Sequence, residues 1–266
     1  MVLKNNLLTM RELRERLLNR LGFLVRRLDP LTQMMNAAGS DKGFGVRGRH
    51  YYTRIYRKLF APLRELPIVF VEIGLLRTDY DRRRYGNAHE KTQGAMSFSK
   101  CSSAPSLYAW RRFFPNAQII GFDIDDFSEV RIPNVTILQG DMSNVNDLSK
   151  IIEAAGGQID VLIDDGSHLS HHQQIAFAKL FPHIASGGLY IIEDCHWQDN
   201  KLEKNNVMKT RDMFNLFRRD GKIISQFIDE SASNLLSYQI CSVALHDSIE
   251  IGIEDTEDAL CVVRKK

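Results

Sequence analysis

The chain has 266 residues, enough for one large domain or two small ones. Its 44% apolar and 26% charged residues exclude a disordered chain, a collagen and a coiled-coil rod, and its net charge of +2 excludes a protein that lives wholly on nucleic acid. That balance hides an asymmetry: residues 1–60 hold 13 basic and 4 acidic side chains, a local +9, against −7 over the rest.

In chain order, residues 7–28 place Leu and Phe at helical spacing, with Arg11, Arg14, Arg16, Arg20, Arg26 and Arg27 between them. Thr9 followed by Glu12 fits a capping box, and Asp29-Pro30 ends the helix. Such a basic amphipathic helix packs on its own domain, joins copies into a homo-oligomer, or makes peripheral contact with a membrane surface. Residues 1–36 are expected as a helical extension and 37–266 as the main domain. No stretch reaches the roughly 18 apolar residues of a spanning helix, and the N-terminus lacks a signal-peptide pattern. Cys101, Cys195, Cys241 and Cys261 are scattered without a CxxC, which suits free thiols in a reducing compartment. A soluble cytoplasmic protein is the expectation.

From residue 67 the pattern changes. Apolar runs at 67–76, 117–125, 134–141, 158–165 and 188–194 read as strands, with helices at 106–114, 145–155 and 171–181. Runs of Val, Ile and Leu without alternation mark parallel strands covered on both faces. The alternation with helices predicts a Rossmann-like, doubly wound, mostly parallel α/β sheet. After a helix near 207–219, residues 248–254 and 259–265 are expected as a closing antiparallel hairpin. Residues 77–105 fit none of this; so long and polar a spacer is either an ordering lid or disordered.

In an open parallel sheet, ligands bind beyond the carboxyl ends of the strands. Those ends are acidic here: Glu72, Asp123 and Asp125, Asp141, Asp164 and Asp165, then Glu193 and Asp194. A carboxylate after the second strand can accept hydrogen bonds from a ribose diol. If the fourth and fifth strands are neighbours, their ends lie about 5 Å apart. Asp165, Glu193 and Asp194 then converge on one hard cation, Mg²⁺ or Mn²⁺ rather than Zn²⁺, with His168 beside it as general base. Ser167 lacks the G-x-S-x-G context of a hydrolase, and no Walker P-loop occurs.

The order of motifs resembles the class I S-adenosylmethionine-dependent methyltransferases, and more narrowly the Mg²⁺-dependent, mycinamicin-type sugar O-methyltransferases. The matching text is GSDKG (39–43), HYYTRIY (50–56), FAPLR (60–64), VEIG (71–74), SLYAWRRFFPNAQIIGFDI (106–124), QGD (139–141), IDDGSH (163–168) and LFPHIASGGLYIIED (180–194). The resemblance implies S-adenosylmethionine and Mg²⁺ as cofactors, and a hydroxyl of a sugar or other glycan-bearing small molecule as methyl acceptor. It places Glu72 and Gly74 in the cofactor loop, Asp123 on the ribose, Asp141 and Met142 beside the adenine, and Asp164 near the methionine moiety. It makes Asp165, Glu193 and Asp194 metal ligands and His168 the base, with GSDKG, His50 and Tyr51 in a segment that closes over cofactor and acceptor. The spacer departs from the family, with only Gly86 and Gly94 where relatives carry a glycine-rich turn. Two alternatives stay open: a lipid or phenolic acceptor, or, on the strength of the spacer and the basic N-terminus, a non-catalytic scaffold that retains the fold.

Overall fold

A computed structural model describes residues 29–44, 50–76, 103–195, 201–247 and 259–266. The helix expected at 7–28 and nearly all of the spacer lie outside these residues. In chain order the elements are α1 (Pro30–Ala38), α2 (Thr53–Phe60), β1 (Val69–Ile73), α3 (Pro105–Phe113), β2 (Gln118–Asp123), β3 (Val135–Gln139), α4 (Val145–Ala154), β4 (Ile159–Asp164), α5 (Ser170–Leu180), β5 (Ile184–Ile192), α6 (Thr210–Asp220), α7 (Glu230–Gln239), β6 (Ile240–Asp247) and β7 (Ala259–Lys265).

The strands form one sheet in the order β3-β2-β1-β4-β5-β7-β6. The first five pair in parallel and the last two run antiparallel. β7 pairs with Ile240–Asp247, upstream of the strand expected at 248–254, which lies outside the described residues. No turn residue separates α7 from β6: Gln239 ends the helix and Ile240 begins the strand.

Alternate strand residues face opposite layers. On one side Phe70, Val161, Ile163 and Ile191 meet α1, α2 and α3 through Leu31, Met35, Tyr56, Phe60 and Trp110. There the Trp110 ring lies tilted against Phe70, centroids 4.9 Å apart, and edge-on to Phe60 at 5.7 Å. On the other, Val71, Ile73, Leu162, Tyr190 and Ile192 meet Leu148, Phe177, Phe214 and Leu236 from α4 to α7. The boundary expected at residue 37 therefore falls inside α1, a helix of the core. Asp29 caps it by accepting a hydrogen bond from the Leu31 amide at 3.1 Å.

The strand order reverses between β1 and β4, where such sheets open a crevice at their carboxyl ends. The ladder holds those ends in register: the Gly74 amide donates to the Phe122 carbonyl, Asp165 to Ile73, and Glu193 to Asp164, at 2.8–2.9 Å. On either side of the spacer, the Ala104 amide donates to the Leu76 carbonyl at 2.9 Å.

Candidate active site

Gly74 turns the chain away from β1 with φ +88°, and a Cβ there would overlap the Asp165 carbonyl. Glycine is required twice over at this position, for conformation and for close approach. At the neighbouring strand end, that of β2, the Asp123 carboxylate accepts from the Leu75 amide at 2.6 Å and the Asp125 amide at 2.8 Å. Asp141 accepts from the Ser143 amide at 2.8 Å, and its own amide donates to Asp147 at 3.0 Å. Met142 is buried, with its sulfur 3.3 Å from the Ser167 amide. These residues surround the mouth between β1, β2 and β3.

Glu72 lies deeper and is fully buried. One oxygen accepts from the Ser106 hydroxyl at 2.7 Å and the other faces the Lys42 ammonium at 3.4 Å. Burial pushes its carboxyl up to about 7, against the pull of Lys42 and Ser106. Asp164 is also pushed up to about 7 by burial, although the Gly166 amide, His168 and the Tyr190 hydroxyl oppose the shift.

Asp165, His168 and Asp194 form the one group of metal-ligating side chains among the described residues, with one ligand atom from each lying within 4.8 Å of the others. His168 Nε2 is 3.7 Å from an Asp194 oxygen. Both residues take left-handed backbone conformations, φ 59° and 51°. Non-glycine residues seldom do so, and such strain concentrates at functional sites. Asp194 sits below the ordinary aspartate range because His168, His50 and the Tyr52 hydroxyl outweigh its burial. Asp165 is raised, chiefly by burial, with Lys42 and His168 opposing.

Glu193 stands apart from that trio. It is buried between the Lys42 ammonium, at 2.8 Å, and the Tyr56 hydroxyl, which donates to its other oxygen. Lys42 also pairs with Asp165, and the Tyr52 hydroxyl donates to Asp194. Burial pulls the Lys42 ammonium down, but Asp165, Glu193 and Glu72 outweigh it and hold it well above the ordinary lysine value.

Lys42, Tyr52 and Tyr56 carry no role in the sequence reading, though all three lie in its GSDKG and HYYTRIY text. The available signal was a lysine in a glycine-bounded turn of a basic segment. Two of its three partners, Asp165 and Glu193, lie more than a hundred residues away and cannot be paired with it by spacing.

The acids and His168 suit a hard divalent ion: two carboxylates and an imidazole converge, and carboxylate oxygens are the donors such ions prefer. Gly74 and Asp123 sit at the mouth where an open α/β sheet takes its ligand.

With its sheet order and this crevice, the chain has the class I methyltransferase fold. Within that fold it is similar to sugar O-methyltransferases of antibiotic biosynthesis. It is 38% identical over 156 residues to 8-demethyl-8-alpha-L-rhamnosyl tetracenomycin-C 2'-O-methyltransferase of Streptomyces olivaceus, covering 59% of this chain and 35% of that protein. It is 36% identical over 145 residues to mycinamicin VI 2''-O-methyltransferase of Micromonospora griseorubida, covering 54% and 31%. The chain thus spans about a third of the length of these curated relatives. Among solved structures, the MycE methyltransferase of the mycinamycin pathway, in complex with Mg and SAH, superposes with a TM-score of 0.62 at 24% identity, covering 89% of this chain and 54% of MycE. No protein-family model matches the chain.

Proposed function

We propose that this chain is an S-adenosylmethionine-dependent, metal-assisted O-methyltransferase whose acceptor is a sugar hydroxyl on a small molecule. The observation that carries the reading is the Asp165, His168 and Asp194 group at the ends of β4 and β5, in a chain similar to named sugar O-methyltransferases. MycE has been solved with Mg, SAH and mycinamycin VI, which matches the ligand set the crevice suits.

Asp165 and Asp194 hold the divalent cation in this reading. Glu193, expected beside them, serves here as the anchor of Lys42 and Tyr56. When bound, the cation supplies Lewis acidity toward the acceptor hydroxyl, and the sulfonium cofactor supplies an activated methyl group. His168 takes the hydroxyl proton on its imidazole, the side chain best suited to exchange a proton near neutral pH. Asp123 receives the ribose hydroxyls, and Asp141 with Met142 lines the adenine side. Gly74 and Asp164 border the methionine moiety, and Glu72 braces α3 through Ser106 behind them. Rate comes chiefly from alignment, because the acceptor oxygen must sit in line with the methyl–sulfur bond.

Calorimetric titration with S-adenosylmethionine and S-adenosylhomocysteine, each with and without Mg²⁺, tests the reading. Micromolar cofactor binding, followed by Asp165-dependent methylation of acceptor sugars, is the expected result. No binding under either condition would sink it and favour a scaffold that keeps only the fold.

A further inference from the structure

The acid cluster already contains a cation of the chain's own. Lys42 is almost wholly buried and touches three carboxylates, Glu72, Asp165 and Glu193. It is fixed there by its backbone. Ser40 donates to the Met35 carbonyl at 3.0 Å, Tyr51 to Gly43 at 3.0 Å, and Thr53 to the Lys42 carbonyl at 3.1 Å. A Cβ at Gly43 would overlap the Asn36 amide, which itself accepts from the Phe44 amide at 2.8 Å. Tyr52 and Tyr56, on the same segment, tie down Asp194 and the far side of Glu193.

Asp165 belongs to both arrangements: it binds the ammonium, and it is one corner of the group with His168 and Asp194. We propose that Lys42 is a resident counter-cation of the metal centre, a positioning residue that shares Asp165 with the divalent ion and weakens that ion's binding. The inference rests on the metal reading above. Even leaving aside the deeply buried Glu72 and Glu193, Asp165 and Asp194 are two carboxylates against one ammonium, so the cluster retains attraction for a second cation. Two cations on one carboxylate also repel each other, and repulsion across a few ångströms of buried protein is strong. The arrangement lets the apo chain fold around its acids without metal and leaves the metal exchangeable.

The sign of one effect separates this role from a merely structural one. A lysine that only props up the site would, on removal, loosen Asp165 and lower metal affinity. A competing cation would, on removal, raise it. The experiment titrates the full chain with Mn²⁺ alone, following the free aqueous Mn²⁺ signal by electron paramagnetic resonance, for the unsubstituted chain, Lys42→Met, Lys42→Arg and Asp165→Asn. Lys42→Met should bind Mn²⁺ about tenfold tighter or more, while Lys42→Arg stays within about threefold of the unsubstituted chain. Unchanged or weaker binding by folded Lys42→Met overturns the proposal. If Lys42→Met folds only with Mn²⁺ present, the Mn²⁺-loaded variant should give up its metal to a competing chelator about tenfold less readily than the unsubstituted chain, and equal or easier loss overturns the proposal. Failure to fold even with Mn²⁺ overturns the proposal. Failure of the metal reading looks different: neither the unsubstituted chain nor Lys42→Met would show binding that Asp165→Asn removes.

Discussion

The two halves of the acidic rim are built differently. At the β2 and β3 ends, Asp123 and Asp141 are held by backbone amides, mostly those of residues two places further on. At the β4 and β5 ends, Asp165, Glu193 and Asp194 are held by Lys42, Tyr52 and Tyr56, across 123 to 151 residues of sequence. The first half is satisfied by the turn that makes it. The second is satisfied only when a distant segment docks, so its charges and that docking stand or fall together. Buried polar groups are costly when unpartnered, and the second half is where that cost is concentrated.

Gly74 is the seam between the halves, bonded to β2 through its amide and pressed against the Asp165 backbone. Gly74→Ala should break both at once, costing about 4 kcal/mol or preventing folding, as thermal melts would show.

Glu72 tests the docked half by pH. Its carboxyl is pushed from 4.5 to about 7, so the protonated form is favoured in the fold. The stabilisation is present below pH 4.5 and is lost as pH rises through 7. Glu72→Gln should remove that slope, gaining on the order of 3 kcal/mol over the unsubstituted chain between those limits in denaturant titrations. A parallel slope in both proteins would refute this assignment.

Tyr56→Phe removes the hydroxyl bond to buried Glu193 and should cost about 2 kcal/mol while leaving cofactor affinity unchanged. Asp123→Asn probes the local half. Melting should show a loss of about 1 kcal/mol or less, and calorimetry should show S-adenosylhomocysteine affinity falling about tenfold. If Asp123→Asn instead unfolded the chain and Tyr56→Phe were silent, the contrast between the halves would be reversed.

The same contrast explains what could be read in advance. β1, β2, β4 and β5 are buried on both faces and announce themselves as unbroken apolar runs, and their acidic ends follow in sequence. IDDGSH and IIED could be brought together because β4 and β5 are adjacent parallel strands. Lys42 could not be set between Asp165 and Glu193, because its place depends on how α1 and α2 pack against Trp110 and Phe70. β6 was missed for a local reason. As an edge strand it is only half covered, with Cys241 and Ser242 exposed, and it follows α7 without a punctuating residue.

The hydrogen bond between Leu76 and Ala104 fixes the two ends of the intervening segment beside each other at the crevice. A segment anchored in this way is a closed loop as far as the sheet is concerned. Its closure entropy grows only with the logarithm of its length, about 0.6 kcal/mol for each doubling. The chain can therefore lengthen, shorten or rewrite residues 77–102 at small thermodynamic expense while β1 and α3 stay in place. Selection can thus act on that stretch of sequence independently of the fold that anchors its ends.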